Sequence, residues 1–477
     1  MNKISGLWLV CIVGGLLVMA GCAVDEDAPR ARASVSDLPP TVAPPPPDAR
    51  LDSWMALYGG AGGEEMEGLL VTSDGGYLVS GSTGSYGDEN GDAWLLRLDA
   101  DGRPVWQKTY GGEGDEYILD LKESGDGFIA AGWTESFGAG DADFWVLRLD
   151  AQGDILWEKT YGGRRVDQAW SVDTTRDGGY IVAGGTESFG AGGADYWLLK
   201  LDAQGEIEWQ KTYGGKEDDG GGGDYEEYVV RALEDRDGNF VLASESASFG
   251  PGDIAIWVLK LDPQGQILWQ KAYGGEYEES LWTFTELPGG GYLLPGVTTS
   301  FSPDLSGDLW VLQIDAQGEI LWQRLYGLAE LWDEALTAGV TSDGGSLIGG
   351  YYEEENDWDW TLLRLDAEGQ LLWSRKYEYA WDWPNAVQAL EDGGFAVAGV
   401  AWPNAQELPE DLWMMRLDAE GQVGGDCGRI QPLQLTVMDT QAVPQDTDAR
   451  VTETDVRPQD SHAVVTDTDA QPAYLCW

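Results

Sequence analysis

One phrase of sequence returns seven times between residues 51 and 426, and this repetition limits the fold more than any other feature of the chain. Trp94-Leu-Leu-Arg-Leu-Asp99-Ala-Asp-Gly102 is followed by Trp106 and Tyr110-Gly-Gly, and comes back as Trp145, Asp150, Gly153, Trp157 and Tyr161-Gly-Gly. The first Trp recurs at 197, 257, 310, 360 and 413, and the second stands at 54, 106, 157, 209, 269, 322 and 373. The repeat Tyr positions (58, 110, 161, 213, 273, 326, 377) lie 50 to 60 residues apart, and the longest interval carries an acidic, glycine-rich insert at 216–223.

Each unit reads as four short strands. In the second, β-branched and aromatic runs at 117–122, 128–131, 144–149 and 155–161 are separated by Gly125-Asp-Gly127, a loop through Ser136-Phe-Gly138, and Asp150-Ala-Gln-Gly153. Four strands at a period near 50 predict a β-propeller blade. The body opens at 53–58 with the last strand of a unit and ends at Asp418-Ala-Glu-Gly421, where a closing strand is missing. The two ends are complementary. The expectation is an all-β, seven-bladed propeller of four-stranded blades over 51–426, closed by the N-terminal strand in the last blade, which removes an open sheet edge. The fourteen repeat Trp are expected to pack between neighbouring blades.

Composition narrows the function. The chain has 477 residues, with 84 Asp plus Glu against 28 Lys plus Arg, a net charge of −56. Such a chain repels nucleic-acid phosphates and anionic lipid surfaces. Its 43% apolar content and 24 Trp argue for a packed core rather than disorder. A single histidine, His462, removes His-based metal sites and catalytic triads from the body.

The two ends are different in kind. Lys3, an apolar run over 7–19 and Met19-Ala20-Gly21-Cys22 resemble the signal and lipobox of bacterial lipoproteins. The resemblance implies removal of 1–21 and acylation of Cys22. Ala23 is not the aspartate that retains such proteins at the inner membrane, so an outer-membrane address, periplasmic or surface-exposed, is expected, with membrane contact through the lipid alone and a monomeric body. Residues 22–50 form a tether with seven prolines, including Pro44-Pro45-Pro46-Pro47. At about 3.1 Å per residue it reaches on the order of 80 Å. Cys427 and Cys476 remain after processing, and an oxidising compartment predicts a disulfide between them, worth about 4 kcal/mol for a loop of about 50 residues. The enclosed tail, 427–477, is rich in Thr, Asp, Gln and Pro and is expected to be weakly structured.

The element Leu149-Asp-Ala-Gln-Gly153 followed by Trp157 resembles the tryptophan-docking repeat of quinoprotein-like propellers. The whole unit is similar to the DGG/YGG propeller repeats of bacterial and archaeal surface proteins. The resemblance covers 51–421 and implies the fold. The turn is one residue shorter than in the quinoprotein repeat and the blades number seven rather than eight, so neither quinone chemistry nor a role in outer-membrane barrel assembly is carried over.

Candidate site residues come from an acidic series. Where one blade's outer strand crosses to the next blade's inner strand stand Glu64-Glu65, Asp115-Glu116, Asp167-Gln168, Glu226-Glu227, Glu278-Glu279 and Asp333-Glu334, with Pro384-Asn385 in the seventh unit. These are expected to ring the channel mouth. The first members are assigned to backbone hydrogen bonds, and Glu65, Glu116, Glu227, Glu279 and Glu334 to a partner. Tyr225, Tyr277, Trp332, Trp381 and Trp383 are expected on the same face, and Trp170 and Trp282 in the core. Asp92, Asp143, Asp195, Asp308 and Asp411, two places before the first Trp, read as turn residues without a function. Asp88-Glu-Asn90-Gly-Asp92 and Asp235-Arg-Asp237-Gly-Asn239 have the alternating oxygens that Ca2+ takes, but lack a full loop, so ordinary turns are expected and no metal residue or cofactor is assigned. No haem-attachment, phosphate-cradle or nucleophile-elbow motif occurs. The expected function is a non-enzymatic binding or scaffold module for an envelope or surface protein or glycan. A carboxylate-dependent glycoside- or polysaccharide-cleaving enzyme is the alternative.

Overall fold

The computed structural model describes residues 45–46, 49–87, 91–219, 230–303, 305–327, 331–354, 357–377, 381–402, 410–424, 430–447, 450–454, 456–468, 470 and 472–476. The signal segment, Cys22, most of the tether, Cys427, Tyr225 and Glu227 lie outside the described residues.

The alternating apolar strands pair antiparallel into seven four-stranded sheets set around an axis. Blades 1 to 6 span 64–111, 116–161, 167–214, 231–273, 279–327 and 333–377. Blade 7 takes three strands from 381–417 and its outer strand, Trp54–Tyr58, from the start of the body, with Trp54 opposite Arg416 and Tyr58 opposite Leu412. The ring closes as the phase of the repeat predicts.

The repeat residues join each blade to the next. The second Trp of a blade slides its ring under the Asp-x-x-Gly turn of the following blade, as Trp106 does under Gly153 (φ 76°) and Trp157 under Gly205 (φ 76°). The same turn's glycine carbonyl accepts the Tyr hydroxyl: Tyr110 to Gly153 at 2.6 Å, Tyr161 to Gly205 at 2.6 Å, Tyr377 to Gly421 at 2.8 Å. Glycine is required twice over, by the positive φ and because a Cβ on Gly153 would stand 2.8 Å from the Trp106 ring. The first Trp of each blade is buried, and Trp197 and Trp257 pack on Phe144 and Tyr196 of the preceding blades at 4.8 and 5.5 Å. A graded series follows. Tyr161→Phe is expected to cost about 1 kcal/mol, and Trp157→Ala about 3–5 kcal/mol. Gly153→Ala should fall nearer the second than the first. Urea unfolding of the three variants checks the order.

Around the axis, backbone N–H groups of one inner strand find side chains of the previous blade: Val172 to Asp120 (3.0 Å), Ala232 to Ser171 (3.0 Å), Leu281 to Glu245 (2.8 Å), Val387 to Thr337 (3.1 Å) and Val71 to Gln388 (2.8 Å).

The tail departs from expectation. It forms seven short strands and lays one on the outer edge of every blade: Ile430–Pro432 on blade 6, Thr436–Asp439 on 5, Gln445–Asp446 on 4, Arg450–Glu453 on 3, Gln459–Asp460 on 2, Val464–Asp467 on 1 and Ala473–Cys476 on 7. The tail is thus a belt wound against the direction in which the blades follow one another. Its hydroxyls keep step. Thr440, Thr447, Thr454, Ser461 and Thr468, each seven residues after the last, accept the indole N–H of Trp310, Trp257, Trp197, Trp145 and Trp94 at 3.0 to 3.2 Å. Four of them also donate to Gln323, Gln270, Gln210 and Gln107, and Glu158 takes the glutamine's place in blade 2. One heptad step earlier and one later the sequence has Leu433 and Leu475, and there the indole N–H groups of Trp360 and Trp413 find no partner among the described residues. The expectation of weak structure failed because the tail has no apolar face of its own. The sheet edges supply its hydrogen bonds.

Candidate functional site

The inner strands all begin on one face of the ring, and their first carboxylate clamps the crossing from the previous blade. The second Gly of Tyr-Gly-Gly gives its N–H to the carboxylate four residues on: Gly60 to Glu64 (3.0 Å), Gly112 to Glu116 (2.9 Å), Gly163 to Asp167 (2.6 Å), Gly215 to Asp219 (2.6 Å) and Gly275 to Glu279 (2.9 Å). A hydroxyl from the adjoining strand completes each clamp, among them Thr83 on Glu64 (3.0 Å), Thr134 on Glu116 (2.7 Å) and Thr298 on Glu279 (2.8 Å). All five carboxylates are fully buried. Burial raises the carboxyl pKa of Glu116, Asp167 and Glu279 despite these bonds.

Two assigned binding residues are therefore corrected. Glu116 and Glu279 are clamps with no exposed surface, because the place in a pair that turns inward is set by distance from the glycine and differs between blades. In blade 4 the clamp is Asp219, ahead of the Glu226-Glu227 pair. Glu65 is exposed, and its carboxylate accepts the Ser82 hydroxyl at 3.2 Å. Trp381 and Trp383 lie in the inner strand of blade 7, Trp381–Ala389, and their side chains lie outside what is described.

Glu334 is the centre of the one assembled site among these residues. It stands second in the inner strand Asp333–Val340 and is 7% exposed. Its carboxylate accepts three aromatic donors: the indole of Trp282 from blade 5, the indole of Trp332 (3.3 Å), and the Tyr351 hydroxyl (2.8 Å). Trp332 is 38% exposed, and its ring covers Gly307, where a Cβ would meet it at 2.9 Å. Trp282, assigned to the core, instead stands half-buried beside the channel. Tyr277, 41% exposed between the exposed Glu276 and Glu278, belongs to the same face. Across the ring, Tyr117 stacks on Trp133 with centroids 4.5 Å apart, and burial together with Glu65 and Asp115 raises its hydroxyl pKa. Glu113, Glu135 and Asp141 are exposed on that side. The mouth thus has fixed aromatic plates with carboxylates around them.

Deeper in, charges from blades 2, 3 and 4 meet. Asp120 pairs with Lys122 at 2.7 Å and with Arg231, two blades away, at 3.6 Å. Burial pulls the Asp120 carboxyl up, but Lys122 and Arg231 hold it below the ordinary range. Burial carries the neighbouring Asp173 up to about 6.

The two calcium-like stretches differ in fate. Asp235 accepts the N–H groups of Asp237 (2.8 Å) and Asn239 (2.9 Å), while Lys260 (2.7 Å) and the Tyr292 hydroxyl (3.2 Å) occupy its other oxygen, so this is a turn. Residues 88–90 lie outside the described set. Among the described residues no helix is long and apolar enough to cross a membrane.

No family model and no curated protein matches the sequence. Solved structures similar to the chain include a glucose dehydrogenase (12% identity, TM-score 0.33, 74% of this chain and 96% of that one). Others are a DUF4221-family member from Bacteroides vulgatus (9%, 0.34, 85% and 99%) and an endo-1,5-alpha-L-arabinanase from Thermotoga petrophila (13%, 0.24, 73% and 83%). Likeness of this degree carries no argument about chemistry, so function rests on the site itself.

Proposed function

We propose that this chain is a lipid-anchored envelope protein whose ring acts as a non-enzymatic binding module, presenting the acidic, aromatic mouth to a protein or glycan partner. The observation that carries this reading is the Glu334 centre. Three aromatic donors on one buried carboxylate hold Trp332 in place with part of its ring in solvent, and preorganised aromatic area is what binding faces use. The net charge of −56 sets which partners approach and how fast, favouring basic or neutral ones. Cys22 and the proline-rich tether supply attachment and reach.

The test is retention of envelope-extract components by the purified full chain. Trp332→Ala is expected to weaken binding by about 30-fold, the scale of a hot-spot loss of about 2 kcal/mol. Glu334→Gln should weaken it less, because it loosens Trp332 without removing it. Binding should also decline as salt rises from 50 to 500 mM. Equal retention by wild type and Trp332→Ala, at all salt concentrations, sinks the assignment.

One observation favours the enzymatic alternative. Asp120 and Asp173 sit close together in the channel with their carboxyl pKa values pushed apart, as an acid and a base of a glycoside hydrolase require. Polysaccharide turnover abolished by Asp173→Asn would establish that reading in place of the first.

A further inference from the structure

The aspartates two places before the first Trp, which the sequence left without a role, face the clamp carboxylates of the next blade across the first Gly of Tyr-Gly-Gly. Asp92 meets Glu116 over Gly111, Asp308 meets Asp333 over Gly327, and Asp411 meets Glu64 over Gly59. In each case both carboxylates crowd the place where a glycine Cβ would stand. Asp143 lies against Gly162 and faces Asp167, and Asp195 lies against Gly214 and faces Asp219. The first glycine is therefore needed because the carboxylates leave no room for a side chain.

Asp143 and Asp195 carry a second observation. Both are fully buried, at 0% and 1% exposure. One oxygen of each is bound by the loop above it: Asp143 Oδ2 by the N–H groups of Ala139 (2.5 Å) and Gly140 (3.0 Å), Asp195 Oδ2 by that of Ala191 (2.6 Å). The other oxygen, Oδ1, points at the first glycine, Gly162 or Gly214, and has no hydrogen-bond partner among the described residues. The facing group is itself bound by donors, Asp167 by Gly163 N–H and the Thr186 hydroxyl, Asp219 by Gly215 N–H and the Ser246 hydroxyl. Burial raises the carboxyl pKa of Asp143, Asp195 and Asp167 despite these donors, so each pair, once ionised, is buried negative charge in want of a cation.

We propose that the two junctions at Asp143 and Asp195 are cation sites, each holding a hard divalent ion, Ca2+ by its preference for carboxylate and carbonyl oxygen, between an aspartate of one blade and the clamp of the next. Among the described residues no three His, Cys, Asp or Glu side chains converge. Two carboxylates therefore serve each ion, and main-chain carbonyls and water complete its shell, as Ca2+ accepts. The carbonyls of Gly163 and Arg165, which lie 2.7 Å from where a Gly140 Cβ would stand, border the loop that caps Asp143. The ring contains its own comparison. At the junction of blades 4 and 5 the aspartate is replaced by Ala255, whose methyl group faces Glu279 over Gly274, and no site is expected there.

The test is a Ca2+ titration of the purified full chain by calorimetry at pH 7.5, with Tb3+ luminescence as a second probe. Saturable binding is expected, and Asp143→Asn with Asp195→Asn should lower the stoichiometry by about two ions. The same double variant should melt no lower than wild type in EDTA, because it removes facing charges. A merely structural role would lower it. Ala255→Asp should add about one ion, and this variant keeps the test open should the double variant fail to fold. The proposal is overturned by no saturable binding at millimolar Ca2+, or by stoichiometry unchanged in both variants. A melting temperature that responds to pH around 6 and not to Ca2+ also overturns it, the pairs then sharing a proton only. None of these outcomes depends on the partner reading.

Discussion

Truncating the chain after residue 429 should lower its melting temperature by on the order of 10 °C and open the blade edges to proteolysis. Seven strands are lost with their backbone ladders, and five indole N–H groups (Trp94, Trp145, Trp197, Trp257, Trp310) lose their hydroxyl acceptors inside the body. A buried donor left unpaired costs about 1–3 kcal/mol, and each kcal/mol moves the midpoint of a large domain by about 2 °C. Thr447→Val should reproduce one link of the belt, at about 1–2 kcal/mol. Circular dichroism melts and limited trypsin digestion read both. A truncated ring that melts with the full chain would mean that the tail lies on the blades without holding them. The proposed Cys427–Cys476 disulfide belongs to the same question. Cys427 is outside the described residues, but Gly424, three residues before it, donates its N–H to Ser53, and the Cys476 backbone pairs with Met55, so the flanking chain and the belt's last strand both lie on blade 7. Reduction, or Cys476→Ser, is expected to remove about 4 kcal/mol.

Stability should rise, not fall, as the pH is lowered from 7.5 to about 5 in EDTA. Burial raises the carboxyls of Asp143, Asp195 and Asp411 to about 6, and the facing carboxylates Asp167, Asp219 and Glu64 add to the rise. Between about pH 4 and 6 the folded chain therefore holds protons that the unfolded chain has released. Their contribution is complete below about pH 4 and is lost as pH rises through 6. Two other aspartates run the opposite way. The Thr341 hydroxyl and Arg364 hold Asp343 down to about 2, and Thr175 and Lys200 do so for Asp177 against its burial. Their contribution is present above about pH 4 and lost towards 2. The melting temperature should pass through a maximum near pH 4–5. Relief of the overall charge of −56 acts in the same direction as the junctions, so Asp143→Asn with Asp195→Asn isolates them by flattening the slope between pH 7 and 5. A wild-type midpoint that declines steadily from pH 7 to 4 would refute the argument.

What the sequence revealed, and what it hid, has a physical pattern. Trp157, Gly205 and Tyr161 are readable because one packing problem is solved the same way in every blade, so the solution repeats in the chain. The clamps were partly hidden. Glu64-Glu65 and Asp115-Glu116 look alike, yet the buried member is the first in one and the second in the other, because the amide of Gly60 or Gly112 chooses the residue four places on. The Glu334 centre was hidden more deeply, since Trp282 comes from the preceding blade and only ring geometry brings it there. The belt left a signal that composition masked. A hydroxyl stands at every seventh place from Thr440 to Thr468, but without an apolar stripe such a segment reads as unstructured.

The belt also keeps count. Its step is seven residues per blade, its first strand lies on blade 6, and its last lies on blade 7, against the strand that closes the ring. Gene duplication can add a blade of some 50 residues to an ordinary propeller in one event. Here the same event would leave the tail one step short, with one outer edge bare and the ends of the belt out of reach of each other. A viable eight-bladed descendant needs a second, separate insertion of seven residues hundreds of codons downstream. Lineages of this protein should therefore hold their blade number where unbelted propellers drift, and any that changed it should carry a tail altered by a multiple of seven.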